Sequence, residues 1–395
     1  MQTENKKPYF LGFHRNIFIL GIVSFLTDAS TEMIYPILPV FLSVILGIGT
    51  VYIGVIEGIA ESTASVLKVF SGYISDRFGK RKPLVVFGYS LSTIAKPFFA
   101  LSGAGWHVLV IRFADRIGKG VRNAPRDAII AESAPKESLG KSYGFHRAMD
   151  TAGAIVGPIL AFIVLYFLKE NYRAVFAFSF IPAFLAVVCI IIFVKEKKKP
   201  PSEEIDPPKI NFSSFSREFK YLILVIVLFT LGNSSDAFLI LRAKTIGIPV
   251  AVIPVLWMVF NTVYALAAMP FGMISDKIGR KKVILLGFFV YAIVYLGFAF
   301  ASKPYHVWSL FIVYGLYYGL SEGTLRAYVA DIISPTHRAT AFGIYHTAVG
   351  ITSFPASVVM GALWKYINIQ TAFCFGAGMA CMSGILLVAL FRKKK

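Results

Sequence analysis

Twelve apolar runs, each long enough to cross a bilayer, take up most of this 395-residue chain. Matched against the roughly 20 residues that a spanning helix needs, they fall at 16–44, 50–74, 83–104, 106–131, 143–167 and 172–194, then 219–243, 249–274, 282–302, 306–330, 339–364 and 370–391. The runs are continuous and of helical length, unlike the ten-residue alternating strands of a membrane barrel. The chain therefore reads as an all-α integral membrane protein of twelve transmembrane helices. Only 15% of its residues are charged, against about 25% in a soluble domain. The connections between spans are too short to hold a separate catalytic domain.

The spans divide six and six about the one long polar, proline-rich stretch, KEKKKPPSEEIDPPKINFSSFSREFK at 195–220. This predicts an N-terminal six-helix bundle over 1–194, a linker over 195–218 and a C-terminal bundle over 219–395. The net charge of +19 would suggest nucleic acid in a soluble protein, but here the cations must be sorted by side of the membrane. Twenty-five Lys and Arg lie in the leader, the linker, the C-terminus and the loops on that side, five lie in the opposite loops, and ten lie within spans. Positive loops face inward, so both termini and the linker are expected in the cytoplasm, with the chain a multi-pass monomer in the plasma (inner) membrane and no nucleic-acid partner. Cys189, Cys374 and Cys381 lie inside apolar runs and form no disulfide framework. No cleavable signal is evident, since the first run is too long for an h-region and no small-residue cleavage site follows.

GYISDRFGKRK at 72–82 and GMISDKIGRKK at 272–282 align without a gap at an offset of 200, each between the second and third span of its half. Ser30-Thr31-Glu32 matches Ser234-Ser235-Asp236 in the first span of each half, and SYGFHRA at 142–148 echoes AFGIYHT at 341–347. Two repeated halves place a binding site between them near the midplane. The repeated loop, built on Gly72, Asp76 and Arg77 and on Gly272, Asp276 and Lys277 with basic runs after each, resembles the signature of the major facilitator superfamily. RIGKGVRNA at 116–124 partly resembles that family's fourth-span pattern, with Lys119 and Arg122 as added cations. Gly144, Gly153, Gly157 and Pro158 resemble the fifth-span pattern of its proton antiporters, although the paired glycines expected next are Ala161 and Phe162. The resemblance implies that the loop residues and Gly153, Gly157 and Pro158 serve conformational gating. In physical terms, the glycines allow close helix approach and the aspartates latch onto bases or helix ends.

Charge inside the bilayer costs ~2.5–3.5 kcal/mol per group on insertion scales and marks function by default. In the fourth span Arg112, Asp115, Arg116, Lys119, Arg122, Arg126 and Asp127 project into an arc of about 140° at helical spacing. Acids available to them are Asp28 and Glu32 in the first span, Glu57 and Glu61 in the second and Asp150 in the fifth, where His146 and Arg147 also lie. The C-terminal half contributes Asp236, Arg242, Glu322, Arg326 and His346. Desolvated carboxylates can carry protons, so Asp28, Glu32, Glu57, Glu61, Asp115 and Asp150 are the proton-coupling candidates. Arginine forks bind carboxylate or phosphate, so Arg112, Arg116, Lys119, Arg122, Arg126, Arg147 and Arg326 are substrate-binding candidates, with Asp236, Glu322, Tyr35, Trp257 and Tyr318. Met33, Met258, Phe260, Tyr264, Tyr314, Tyr317 and Tyr345 are further candidates for a cavity wall. Buried ion pairs that only hold the bundle together are the competing reading.

No Walker loop, dinucleotide fingerprint or HExxH motif is present, and no Cys, His and carboxylate cluster has metal-ligand spacing, so no cofactor, metal or enzyme chemistry is expected. The expected function is proton-coupled secondary transport of a small organic solute by alternating access, in the sense of efflux or antiport. The alternatives are an exchanger or importer of anionic carboxylate or phosphate metabolites, and a non-transporting membrane sensor.

Overall fold

The computed structural model describes residues 9–10, 13–78, 80–134, 138–196, 215–333 and 338–392. Tyr9–Phe10 and Phe13–His14 pair as two short strands ahead of the bundle. The helices are α1 (Arg15–Ile34), α2 (Leu38–Val40, continued by a π turn to Ile45), α3 (Thr50–Phe78), α4 (Lys82–Leu101), α5 (Gly105–Ser133), α6 (Leu139–Phe167) and α7 (Tyr172–Phe193). They continue as α8 (Arg217–Gly232), α9 (Ala237–Thr245), α10 (Ile253–Ile278), α11 (Arg280–Phe300), α12 (Pro304–Ile332), α13 (Arg338–Tyr366) and α14 (Ile369–Arg392). The first span is α1 with α2, the seventh is α8 with α9, and each other helix is one span, giving two six-helix repeats.

Nine of these segments are long and apolar enough to cross a membrane by composition alone. The other three, α3, α5 and α12, are the second, fourth and tenth spans. Each carries charge that the fold turns inward, which lowers its apolarity without exposing that charge to lipid.

Within the N-terminal half α1 packs on α6 and α7, and α5 on α3 and α4; in the C-terminal half α12 packs on α10 and α11, and α14 on α8 and α11. The halves meet where α2 packs on α9 and, most extensively, along two pairs of long helices, α3 with α13 and α6 with α10. These pairs are equivalent under the repeat, since the second and fifth spans of one half meet the fifth and second spans of the other.

Close approach along α3 and α13 depends on glycine. A Cβ at Gly54 would strike the Ser357 carbonyl, one at Gly58 the backbone of Phe354, and one at Gly361 the carbonyl of Thr50. Thr50 donates through Oγ1 to the Gly361 carbonyl at 2.9 Å, and Ser62 Oγ donates to that of Gly350. Small residues allow this backbone contact in a membrane bundle, where packing replaces the hydrophobic drive. Gly153 and Gly157 play the same part inside the N-terminal half, facing the Phe25 and Ala29 carbonyls of α1. At Gly72 an added Cβ would meet Ala124 at 3.5 Å, and at Gly272 nothing within 4 Å. Close approach is therefore not the role of these two, contrary to the sequence expectation. Each lies six residues before the end of its helix, at Phe78 and Ile278, and neither faces a neighbouring backbone within contact distance.

The side chains of Asp76 and Arg77 and the whole of Gly79 lie outside the described residues. In the second copy Arg280 pairs with Asp276 at 3.1 Å and with Asp331 at the end of α12. The first half has a counterpart in Arg81, 2.7 Å from Glu132 at the end of α5. Both loops also hold the ends of the linker. Glu196 accepts from the backbone N–H groups of Arg81 and Lys82 at the start of α4, where a carboxylate suits the helix dipole. Lys281 reaches Glu218 at 2.9 Å.

Candidate functional site: the central cavity

Between the halves lies a cavity of about 530 Å³, a size that suits a small solute. Its N-terminal wall carries Thr31, Glu32, Tyr35, Glu61, Arg116 and Lys119. The C-terminal wall includes Ser234, Ser235, Asp236, Trp257, Phe260 and Tyr318, with Glu322 and Arg326 further along α12. The echoed triplets at 30–32 and 234–236 thus put residues on opposite walls of one chamber. Water access rises along the helices toward the side of the termini. On α12 Tyr314 is inaccessible, the Glu322 side chain is 29% exposed and that of Arg326 48%. On α3 the Glu57 side chain is 2% exposed and that of Glu61 43%. The glycine seam closes the opposite end.

The fourth-span arc divides by depth and by neighbour. Arg112 donates to Glu57 at 2.8 Å in a pair excluded from water, and its guanidinium stands 5.4 Å from the Tyr35 ring centroid. Arg116 lies 3.4 Å from Glu61 and 3.7 Å from Asp115. Arg122 turns away from the cavity, donating to Ser92 Oγ at 2.6 Å and lying 4.4 Å over Tyr89. Arg126 is held by Asp127 at 2.9 Å. Lys119 points into the cavity, and among the described residues it has no ion pair or hydrogen bond.

Of the candidates read from sequence, Glu32, Glu61, Arg116, Lys119, Asp236, Glu322, Arg326, Tyr35, Trp257 and Tyr318 line the cavity. Asp28, Glu57, Asp115, Asp150, Arg112, Arg122, Arg126 and Arg147 do not. Asp150 accepts from Ser24 and lies 3.6 Å from His146, and Asp28 sits on α1 beside Gly153 of α6. Arg147 forms a link across the halves at the rim, donating to the Tyr264 hydroxyl and lying 3.7 Å from Glu322. A second link runs deeper, where Trp257 Nε1 donates to Glu32 at 2.6 Å.

Asp236 sits where the seventh span breaks between α8 and α9. Its carboxylate accepts from Tyr314 at 2.6 Å and from Tyr318 at 3.1 Å. Around it the rings form a continuous wall: Trp257 to Phe260 at 4.6 Å, Phe260 to Tyr318 at 5.1 Å edge-on, and Tyr35 to Trp257 at 5.1 Å. One buried cation escaped the sequence reading. Lys96 of α4 is 2% exposed and donates to Ser30 Oγ at 2.5 Å and to Thr31 Oγ1 at 3.2 Å, just behind the cavity wall. A lone lysine in an apolar run was the available signal.

The Major Facilitator Superfamily model matches residues 20–260 and 222–395. The chain belongs to this superfamily. An uncharacterized MFS-type transporter of Methanocaldococcus jannaschii is 41% identical over 384 residues, covering 95% of this chain and 94% of the relative. The multi-drug resistance efflux pump PmrA of Streptococcus pneumoniae is 28% identical over 334 residues, with 81% and 80% covered. The superfamily fold is seen again in a POT family transporter solved with 5-aminolevulinic acid (TM-score 0.81, 14% identity, 98% of each chain). It also appears in the nucleoside transporter NupG (TM-score 0.76, 14% identity, 95% of this chain and 99% of that one). The chain is thus a multi-pass membrane transporter of small-molecule substrates, not an enzyme.

Proposed function

We propose that this superfamily member is a proton-coupled secondary active transporter that moves a small organic solute by alternating access, in the sense of efflux or antiport. The observation that carries this reading is Glu32. It lines the cavity from one half, takes the indole N–H of Trp257 from the other, and among the described residues has no cation paired with it. An ionised carboxylate in that position is hydrated while the cavity is open and costs several kcal/mol to enclose unpaired. Protonation removes that cost, so a proton on Glu32 favours closure about the site. Glu61, shared with Arg116, is the second acid of this set. Similarity to an efflux pump supports the direction.

Glu32→Gln should abolish solute accumulation driven by a pH gradient in proteoliposomes while sparing solute exchange without a gradient, using a solute first found by thermal-shift screening. Unchanged gradient dependence in both Glu32→Gln and Glu61→Gln would remove proton coupling from the reading.

The excess of loop cations on one side supports a cytoplasmic position for both termini and the linker (195–218, between bundles at 1–194 and 219–395), and on this reading the chain is a monomer in the plasma membrane. The open cavity then faces inward, and the paired loops around Asp76 and Asp276 act as latches on that face. Single cysteines at Arg217 and Ser302, in a chain lacking its three thiols, should react with an impermeant maleimide from opposite sides of the membrane. Reaction of both from outside intact cells would invert the assignment.

A further inference from the structure

We infer that the substrate is zwitterionic, with a cationic nitrogen seated at Asp236 and an anionic group held by Lys119 on the opposite wall. This rests on the central cavity being the transport site. The inference follows from which charges in the chamber are already satisfied. Arg116 is shared between Glu61 and Asp115, and Glu322 is held by Arg326 and Arg147. Glu32, neutral in its protonated form, has the Trp257 indole. Two groups remain without a salt bridge among the described residues, Lys119 on the N-terminal wall, which has acids near it but none in contact, and Asp236 on the C-terminal wall.

Their surroundings differ in the way two ligand ends would require. Asp236 receives two neutral hydroxyl donors, which leaves about half of its lone-pair capacity open. It sits beside aromatic faces that attract an organic ammonium and cannot supply ligands to a metal ion. Among the described residues, no three His, Cys, Asp or Glu side chains cluster as a metal site. Lys119 offers three N–H donors beside a guanidinium that is already neutralised. A ligand carrying one charge leaves the other wall charge unpaired when the cavity closes, whereas a zwitterion satisfies both and bridges the halves.

The test uses the purified full-length protein at equilibrium, with no ion gradient, and two matched sets of probes. One set is phenylalanylglycine, its methyl ester (cation only) and its N-acetyl form (anion only); the other is γ-aminobutyrate with the same two caps. In at least one set the zwitterion should bind about tenfold or more tightly than either capped form, a difference of about 1.4 kcal/mol. Asp236→Asn should erase the advantage over the N-acetyl form without weakening that form's own binding. Lys119→Gln should erase the advantage over the ester without weakening the ester's binding, and Lys119→Arg should recover part of it. The retained affinity for the unaffected probe reports a folded site. A capped form that binds as well as the zwitterion in both sets, absence of zwitterion binding, or a preference that survives both substitutions would overturn the inference. Failure of gradient-driven uptake alone would instead count against proton coupling, since binding is read without a gradient.

Discussion

Arg112→Met is expected to lower the stability of the folded protein by about 3–5 kcal/mol, because it strands the Glu57 carboxylate in a site closed to water. Both side chains of this pair are only 2% exposed, and the oxygen to nitrogen distance is 2.8 Å. Removing one partner leaves a full desolvation penalty with nothing opposite it. Removing both does not, so Glu57→Leu combined with Arg112→Met should regain most of the loss. Thermal melting of the purified single and double variants measures this directly. A single variant that melts with the wild type would mean the pair contributes no net stability, and a double variant worse than either single would mean that the arginine stem matters through packing.

Gly361→Val is expected to keep the protein folded but to prevent closure of the seam between α3 and α13. The added carbons would strike the Thr50 carbonyl and the Val51 Cα, 3.0 Å from an ideal Cβ. Overpacking of this kind costs about 1–3 kcal/mol, which moves a two-state equilibrium about 5- to 150-fold. Turnover should fall by a factor in that range while equilibrium binding persists. A cysteine at Ser357 should become reactive from the face opposite the termini. Gly361→Ala should show a smaller effect of the same sign, and full turnover with an unreactive cysteine in the valine variant would deny the seam a gating role.

The twelve spans and the two repeats were legible because apolar length and a gapless 200-residue offset are properties of the chain itself. The cavity was legible only in part. Helical projection puts Arg112, Arg116, Lys119 and Arg122 on one face of α5, yet it carries no record of which helix stands opposite each turn. Glu57 captures Arg112 and Ser92 captures Arg122 because α3 and α4 approach at those levels, while Lys119 meets open space. The break at Asn233–Asp236 was hidden for a similar reason. Apolar stretches flank the four polar residues on both sides, so the run 219–243 keeps the length of one span, and only the Ser-Ser-Asp echo hinted that a carboxylate would face inward there. Lys96 went unnoticed because one charge in an apolar run makes no periodic pattern.

The inward-turned charge of α5 also bears on how the protein is made. Seven ionisable side chains lie between Arg112 and Asp127, and at ~2.5–3.5 kcal/mol for each one near a helix centre this segment cannot partition into lipid alone. It follows that α5 must leave the translocation machinery together with α3 and α4, whose Glu57, Glu61, Ser92 and Tyr89 receive its charges. These three spans are then inserted as an assembled unit and not helix by helix. By contrast α7, with no charge beyond Arg173 near its start, can enter the bilayer by itself and close the bundle around them.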